Sequence, residues 1–173
     1  MAALADTNVV VYRFDDRFPA KQAAADTLLR EGVATDGVRL AHQTVLEFVA
    51  ATTRPQRDGT TILDPAVARL EAEDLLRQFP VIYPDDRVVR TALQGMAAYG
   101  LSLWDAHIWA TAEVHELGIL YSEDFQHERW YGGVLVVDPF REGFRDSVRD
   151  RRERVHRGPH QSARRGPDAA QGG

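Results

Sequence analysis

The chain contains no cysteine, only one lysine (Lys21), and no stretch approaching the ~18 consecutive apolar residues of a membrane-spanning helix. Without cysteine, disulfides, thiolate zinc sites and cysteine nucleophiles are all excluded, so any metal has to sit on oxygen or imidazole. The six histidines (His42, His107, His115, His127, His156 and His160) fall in no H-E-x-x-H or related spacing, which makes zinc a poor expectation. Glycine-rich phosphate loops of the G-x-G-x-x-G or P-loop kind are missing as well. A receiver-type phosphoacceptor site needs a lysine at a late strand end, and Lys21 lies in an early helical stretch. A haloacid-dehalogenase-type phosphatase needs a second Asp two residues after the first, where this chain has Asn8. The apolar start is stopped at once by Asp6, without the charged start and long apolar run of a secretory signal, so a cytoplasmic protein with no membrane attachment is expected.

What remains is a 173-residue chain, 44% hydrophobic and 27% charged, which suits one domain of ~100–150 residues with a core of its own and a tail. The net charge of −5 conceals an asymmetry. Residues 145–173 hold 8 Arg against 4 acids, leaving 13 basic and 22 acidic groups for residues 1–144. A protein that held nucleic acid by its phosphates alone would be basic. If this acidic domain handles RNA, bound divalent cations or the Arg-rich tail must offset the repulsion.

Short apolar runs alternate with helical periodicity. Leu4-Ala5, Val38 to Ala41, Pro80 to Pro84, Ile119 to Tyr121 and Val134 to Val137 read as strands. Helices are expected after Asp6, from Pro19 to a stop at Gly32, from Thr44 to Arg54, from Asp64-Pro65 to about Gln78, from about Asp85 to Tyr99, and from Ser102 to about Leu117. Strands alternating with helices of that length imply an α/β domain with a mainly parallel sheet of four to five short strands. The domain is expected to span 1–144. The extension 145–173 is expected to be a charged helix to about Arg157 and then largely disordered, its arginines either touching RNA phosphates or merely solvated.

Parallel α/β sheets bind ligands outside the C-terminal ends of their strands. Asp6 and Asp124 follow strands at that edge, Glu47 lies in the first turn of the helix after the second strand, and Asp105 begins a late helix. Each has a structural alternative. Thr44 to Glu47 and Ser102 to Asp105 fit the capping-box spacing, Asp6 fits a helix cap, and Asp124 fits an acid near a helix start. Thr7, Asn8 and Ser122 either cap helices or hydrogen-bond the carboxylates from behind. Four carboxylates that meet would raise each other's pKa or recruit a cation, and hard oxygen donors suit Mg²⁺ or Mn²⁺, which supports phosphodiester hydrolysis without a protein nucleophile.

The residues Ala5-Asp6-Thr7-Asn8-Val9, Glu47 near a helix start, Leu101-Ser102-Leu103-Trp104-Asp105-Ala106 with Ala110-Thr111-Ala112, and Leu120-Tyr121-Ser122-Glu123-Asp124 with Val137-Asp138-Pro139-Phe140 together resemble a PIN domain of the VapC toxin type, over about residues 2–140. The resemblance implies a PIN-like three-layer α/β/α fold and an Mg²⁺- or Mn²⁺-dependent endoribonuclease leaving a 5′-phosphate and a 3′-hydroxyl. It also implies a homodimer and a cognate antitoxin that silences the enzyme in a type II toxin–antitoxin pair. Carried over by position, Asp6, Glu47, Asp105 and Asp124 are the catalytic acids, and Asp6, Asp105 and Asp124 hold the metal. Glu123, beside Asp124, competes for the fourth place, and adjacent residues after a strand point opposite ways. His107 departs from the apolar residue usual two places after the helix acid; His107 and His127 either approach a phosphate or are ordinary packed residues. The competing reading is a PIN-like module without catalysis that binds RNA or protein.

Overall fold

In the computed structural model, which describes residues 2–146, 148 and 149, the chain folds as β1 (Ala3–Ala5), α1 (Thr7–Tyr12), α2 (Pro19–Ala34), β2 (Val38–Ala41), α3 (His42–Thr53), α4 (Pro65–Gln78), β3 (Val81–Ile82), α5 (Asp86–Tyr99), α6 (Leu103–Val114), β4 (Ile119–Tyr121), β5 (Trp130–Tyr131) and β6 (Val134–Val137). The strands form one six-stranded sheet in the order β3-β2-β1-β4-β6-β5. All pairings are parallel except β5 on β6, an antiparallel edge pair that the sequence reading did not anticipate.

Strands covered on both faces need apolar residues at every position, and β1, β4 and β6 are buried along their whole length. Alternation then sends neighbours to opposite layers. Ala3 and Ala5 join a core with Val9, Leu29, Phe48 and Leu75 from α1 to α4, while Leu4 joins a second core with Val88, Ala106, Ile108 and Trp109 from α5 and α6. The result is three layers, α/β/α, as expected. Successive strands add outward in both directions from the centre, β2 on one side of β1 and β4 on the other, so the crevice between the C-terminal ends of β1 and β4 is the natural ligand position.

Two glycines explain how neighbouring elements come so close. Gly32 is interior to α2 and does not end it; a Cβ there would stand 2.5 Å from Val38 Cγ2 of β2, so only glycine permits this helix–strand approach. Gly95 of α5 does the same against Trp109 of α6, where a Cβ would lie 2.3 Å from the indole. α2 therefore runs to Ala34 and ends through Thr35 and Asp36, the latter at φ 50°. α6 stops at Val114, short of the expected Leu117, with Glu116 at φ 56°.

Asp64 caps α4 and Pro65 begins it, and Gly100 closes α5 in the left-handed conformation, as their sequence positions predict. Most of the expected extension lies outside the described residues; of its described part, 145, 146, 148 and 149 are helical, and Arg145 grips Glu31 of α2 through two hydrogen bonds of 2.9 and 3.1 Å.

Candidate functional site

At the end of β1 the backbone of Asp6 is held by its N–H, which donates to the Tyr121 carbonyl of β4 at 3.0 Å. Its carboxylate caps α1, accepting from the Thr7 amide at 2.6 Å, and accepts a hydrogen bond from the Ser122 hydroxyl at 2.6 Å. Ser122, fully buried after β4, spends its lone pairs on the Asp124 amide and on the Asn8 side-chain amide, both at 3.2 Å. The same Asn8 nitrogen reaches Asp124 Oδ2 at 3.0 Å and Asp6 Oδ2 at 3.4 Å, so one neutral amide is wedged between two carboxylates.

Glu47 enters from α3. It is the sixth residue of that helix, not in its first turn as the sequence implied, because β2 runs directly into α3 at Ala41, which offers no side-chain cap. The capping-box reading of Thr44 to Glu47 therefore fails: Thr44 is buried and donates to the Ala5 carbonyl at 3.4 Å, which frees Glu47 for the crevice. Glu47 Oε2 accepts from Thr7 Oγ1 at 2.8 Å, and Oε1 from Gln43 Nε2 at 2.9 Å. Thr7 is thus the bridge between Asp6 and Glu47.

Asp105 stands apart. Ser102 is the N-cap of α6, its Oγ accepting from the Asp105 amide at 3.2 Å while its hydroxyl donates to Asp105 Oδ2 at 2.8 Å. The carboxylate therefore serves its own helix start. The link from this turn to the other acids is Gln43, whose Nε2 also reaches the Trp104 carbonyl at 3.3 Å and whose Oε1 meets His107 Nδ1 at 2.6 Å. Gln43 is a residue that sequence reasoning missed; its only signal was a position one helical turn before Glu47.

The two adjacent acids part company. Glu123 pairs with Lys21 Nζ, which also donates to the Tyr12 hydroxyl at 3.0 Å and lies over the Tyr12 ring, whereas Asp124 turns to Asn8. His127 accepts from the Asp138 amide, just past β6, at 3.0 Å through Nδ1. Burial pushes the His107 imidazole below its ordinary range, against the opposing charge of Glu47.

Asp6 is only 6% exposed, and its carboxyl is pushed up to about 7. Burial is the main cause; the charges of Asp124 and Glu47 add to it, and the hydrogen bonds from Ser122 and Thr7 oppose it. Among the described residues, no Lys, Arg or His forms an ion pair with Asp6, Glu47, Asp105 or Asp124. Also among them, no three acid or imidazole side chains stand together closely enough to hold an ion as placed. The chemistry of the donors nonetheless fits a hard divalent cation: the groups are oxygens, the charge is uncompensated, and Asn8 Oδ1 is buried with no donor to satisfy it. Glu47 and Asp124 share the lining of an open groove of about 590 Å³ with Val11, Ala51, Arg17 and Arg54.

The sequence model of the PIN domain matches residues 3–132. Among solved structures, a toxin–antitoxin complex from Klebsiella pneumoniae superposes with a TM-score of 0.56 at 21% identity, covering 80% of this chain and 98% of that one. FitAcB from Neisseria gonorrhoeae gives 0.53 at 22% identity, with the same 80% and 98% coverage. Comparison with curated protein sequences found no match.

Proposed function

Since this chain belongs to the PIN-domain family, we propose that it is a metal-dependent endoribonuclease and the toxin of a type II toxin–antitoxin pair, with Asp6, Glu47, Asp105 and Asp124 as its catalytic acids. The observation that carries this reading is the knot of Asp6, Asn8, Ser122 and Asp124 at the mouth of the sheet, joined to Glu47 through Thr7 and paired with no basic side chain among the described residues.

Asp6, Asp105 and Asp124 would hold Mg²⁺ or Mn²⁺, with Glu47 beside them and Asp105 first releasing the Ser102 hydroxyl. When bound, the cation supplies the positive charge the acids lack and Lewis-acid activation of water and phosphoryl oxygen. The chain's own groups do the remaining work. Ser122 and the Thr7 amide fix the buried Asp6 carboxylate, and Asn8 keeps Asp124 apart from it. Bases of a single strand would lie against the apolar wall of the groove, with Arg17 and Arg54 toward its phosphates. Cleavage would leave a 5′-phosphate and a 3′-hydroxyl.

Support for a cognate antitoxin comes from the Klebsiella toxin–antitoxin complex sharing this fold. Support for a homodimer comes from apolar side chains left open on α5 and α6, Val89, Leu93, Leu103 and Trp104. No described helix is long and apolar enough to cross a membrane, in keeping with a cytoplasmic enzyme.

The test is cleavage of single-stranded RNA with Mg²⁺ or Mn²⁺ against EDTA. Wild type should cut only with metal, and Asp6→Asn or Asp105→Asn should abolish cutting while circular dichroism shows the fold intact. Wild-type protein that cuts no RNA with either metal would favour the catalytically inactive binding module.

A further inference from the structure

Gln43 is 7% exposed and engages both hydrogens of its amide nitrogen and its amide oxygen. Nε2 sends one hydrogen to Glu47 Oε1 and the other toward the Trp104 carbonyl. Oε1 is therefore an acceptor, so the 2.6 Å contact with His107 requires the hydrogen to sit on Nδ1. One amide thus spans the C-terminal edge of the sheet, from α3, which packs on one core, to the first turn of α6, which packs on the other.

Glu47 is consequently gripped at both oxygens, by Thr7 from the Asp6 side and by Gln43 from the α6 side. A free glutamate would have to lose its side-chain rotamer freedom on meeting a ligand, and one held this way has lost it already. The second Nε2 hydrogen of Gln43 points to the carbonyl of the residue immediately before Asp105.

We propose that Gln43, itself oriented by His107, is a positioning residue that presets Glu47 beside the Asp105 turn for capture of a divalent cation. The inference rests on the nuclease reading of the same acids. Neither residue need touch the cation or the RNA. Both act through the Glu47 carboxylate, as outer partners of metal-binding carboxylates do.

The experiment is Mn²⁺ binding to the full-length protein by calorimetry, with thermal midpoints in EDTA recorded alongside. Gln43→Met keeps the volume and removes both donors, and should weaken Mn²⁺ affinity about 10–100-fold. His107→Leu should weaken it less, because the Gln43 amide is then free to turn. His107→Asn should recover affinity, since its amide can place an N–H near the position of Nδ1. Gln43→Met combined with His107→Leu should be no worse than Gln43→Met alone.

Unchanged affinity in Gln43→Met, or His107→Asn no better than His107→Leu, overturns the inference; the histidine pair decides even if Gln43→Met does not fold. Wild-type protein that binds Mn²⁺ and loses it on Asp6→Asn, yet is indifferent at Gln43 and His107, refutes this positioning role and leaves the nuclease reading intact. Wild type that takes up no Mn²⁺ refutes both.

Discussion

Replacing Asp6 with Asn should stabilise the metal-free protein at pH 8 and make it slightly less stable, by about 1–2 kcal/mol, near pH 4. The buried Asp6 carboxyl is raised from an ordinary 3.8 to about 7, so between those values the folded state holds a proton that the unfolded chain has released. Unfolding free energy therefore falls as pH rises through this window, with no penalty below it and the full penalty above it. At ~1.4 kcal/mol per pH unit, about three units correspond to about 4 kcal/mol carried by the native state above pH 7.

Asn removes that charge and keeps an acceptor for the Thr7 amide, but turns a donor toward Ser122 and Asn8, returning about 1–2 kcal/mol. The net gain of about 2–3 kcal/mol corresponds to a rise of roughly 4–12 °C in melting temperature for a chain of this size. Thermal melts in EDTA at pH 4, 6 and 8 measure it. Mn²⁺ at 100 times its dissociation constant should add ~2.7 kcal/mol to wild type and nothing to the variant. If Asp6→Asn is the less stable protein at pH 8 in EDTA, or if the gap is the same at pH 5 and pH 8, the reasoning about burial is wrong.

Ser122→Ala removes a hydrogen bond that holds the Asp6 carboxyl down, so the onset of metal-dependent RNA cleavage should move to higher pH; an onset that stays put in the pH–rate profile would take Ser122 out of the account. Gly95→Ala should cost about 1–3 kcal/mol in urea unfolding, because its methyl would fall on Trp109, and an unaltered midpoint would mean the indole simply swings aside. Arg17→Ala strips the buried Asp15 of a two-pronged partner at 2.7 and 2.6 Å and should lower stability at pH 7. Arg17 holds the Asp15 carboxyl below its usual range, so that contribution is present above the ordinary carboxylate pKa and disappears as pH falls through the lowered value. Acid unfolding identical in the two proteins would contradict it.

The sheet was readable in advance for a physical reason: β1, β4 and β6 are covered on both faces, and such strands cannot hide among polar residues. Asp64-Pro65 and Gly100 were readable because caps are local chemistry. Gly32 misled because a glycine that ends a helix and one that admits a neighbouring strand look alike until Val38 is in place. The Glu47 cap misled for a similar reason, since nothing local announces that a strand passes into a helix without a capping side chain. β5 is two residues long and has no periodicity to detect. Gln43 depends on a contact between layers, which no spacing along the chain encodes, whereas Asp105 turns to Ser102 three residues before it, a local contact that the capping spacing had offered.

The close seat of the Trp109 indole on Gly95, where an added Cβ would lie 2.3 Å from the ring, also bears on how the site can move. With the indole keyed into bare backbone, neither helix of the α5–α6 pair can slip along its axis without a collision, and axial shear is the cheap motion of packed helices elsewhere. If Asp105 is to join the other acids, sliding of α6 along α5 is then closed to it, and a swing of its own side chain away from Ser102 needs no such movement. An engineer altering the mouth of this sheet could treat that pair as a fixed bracket and confine mutagenesis to what it carries.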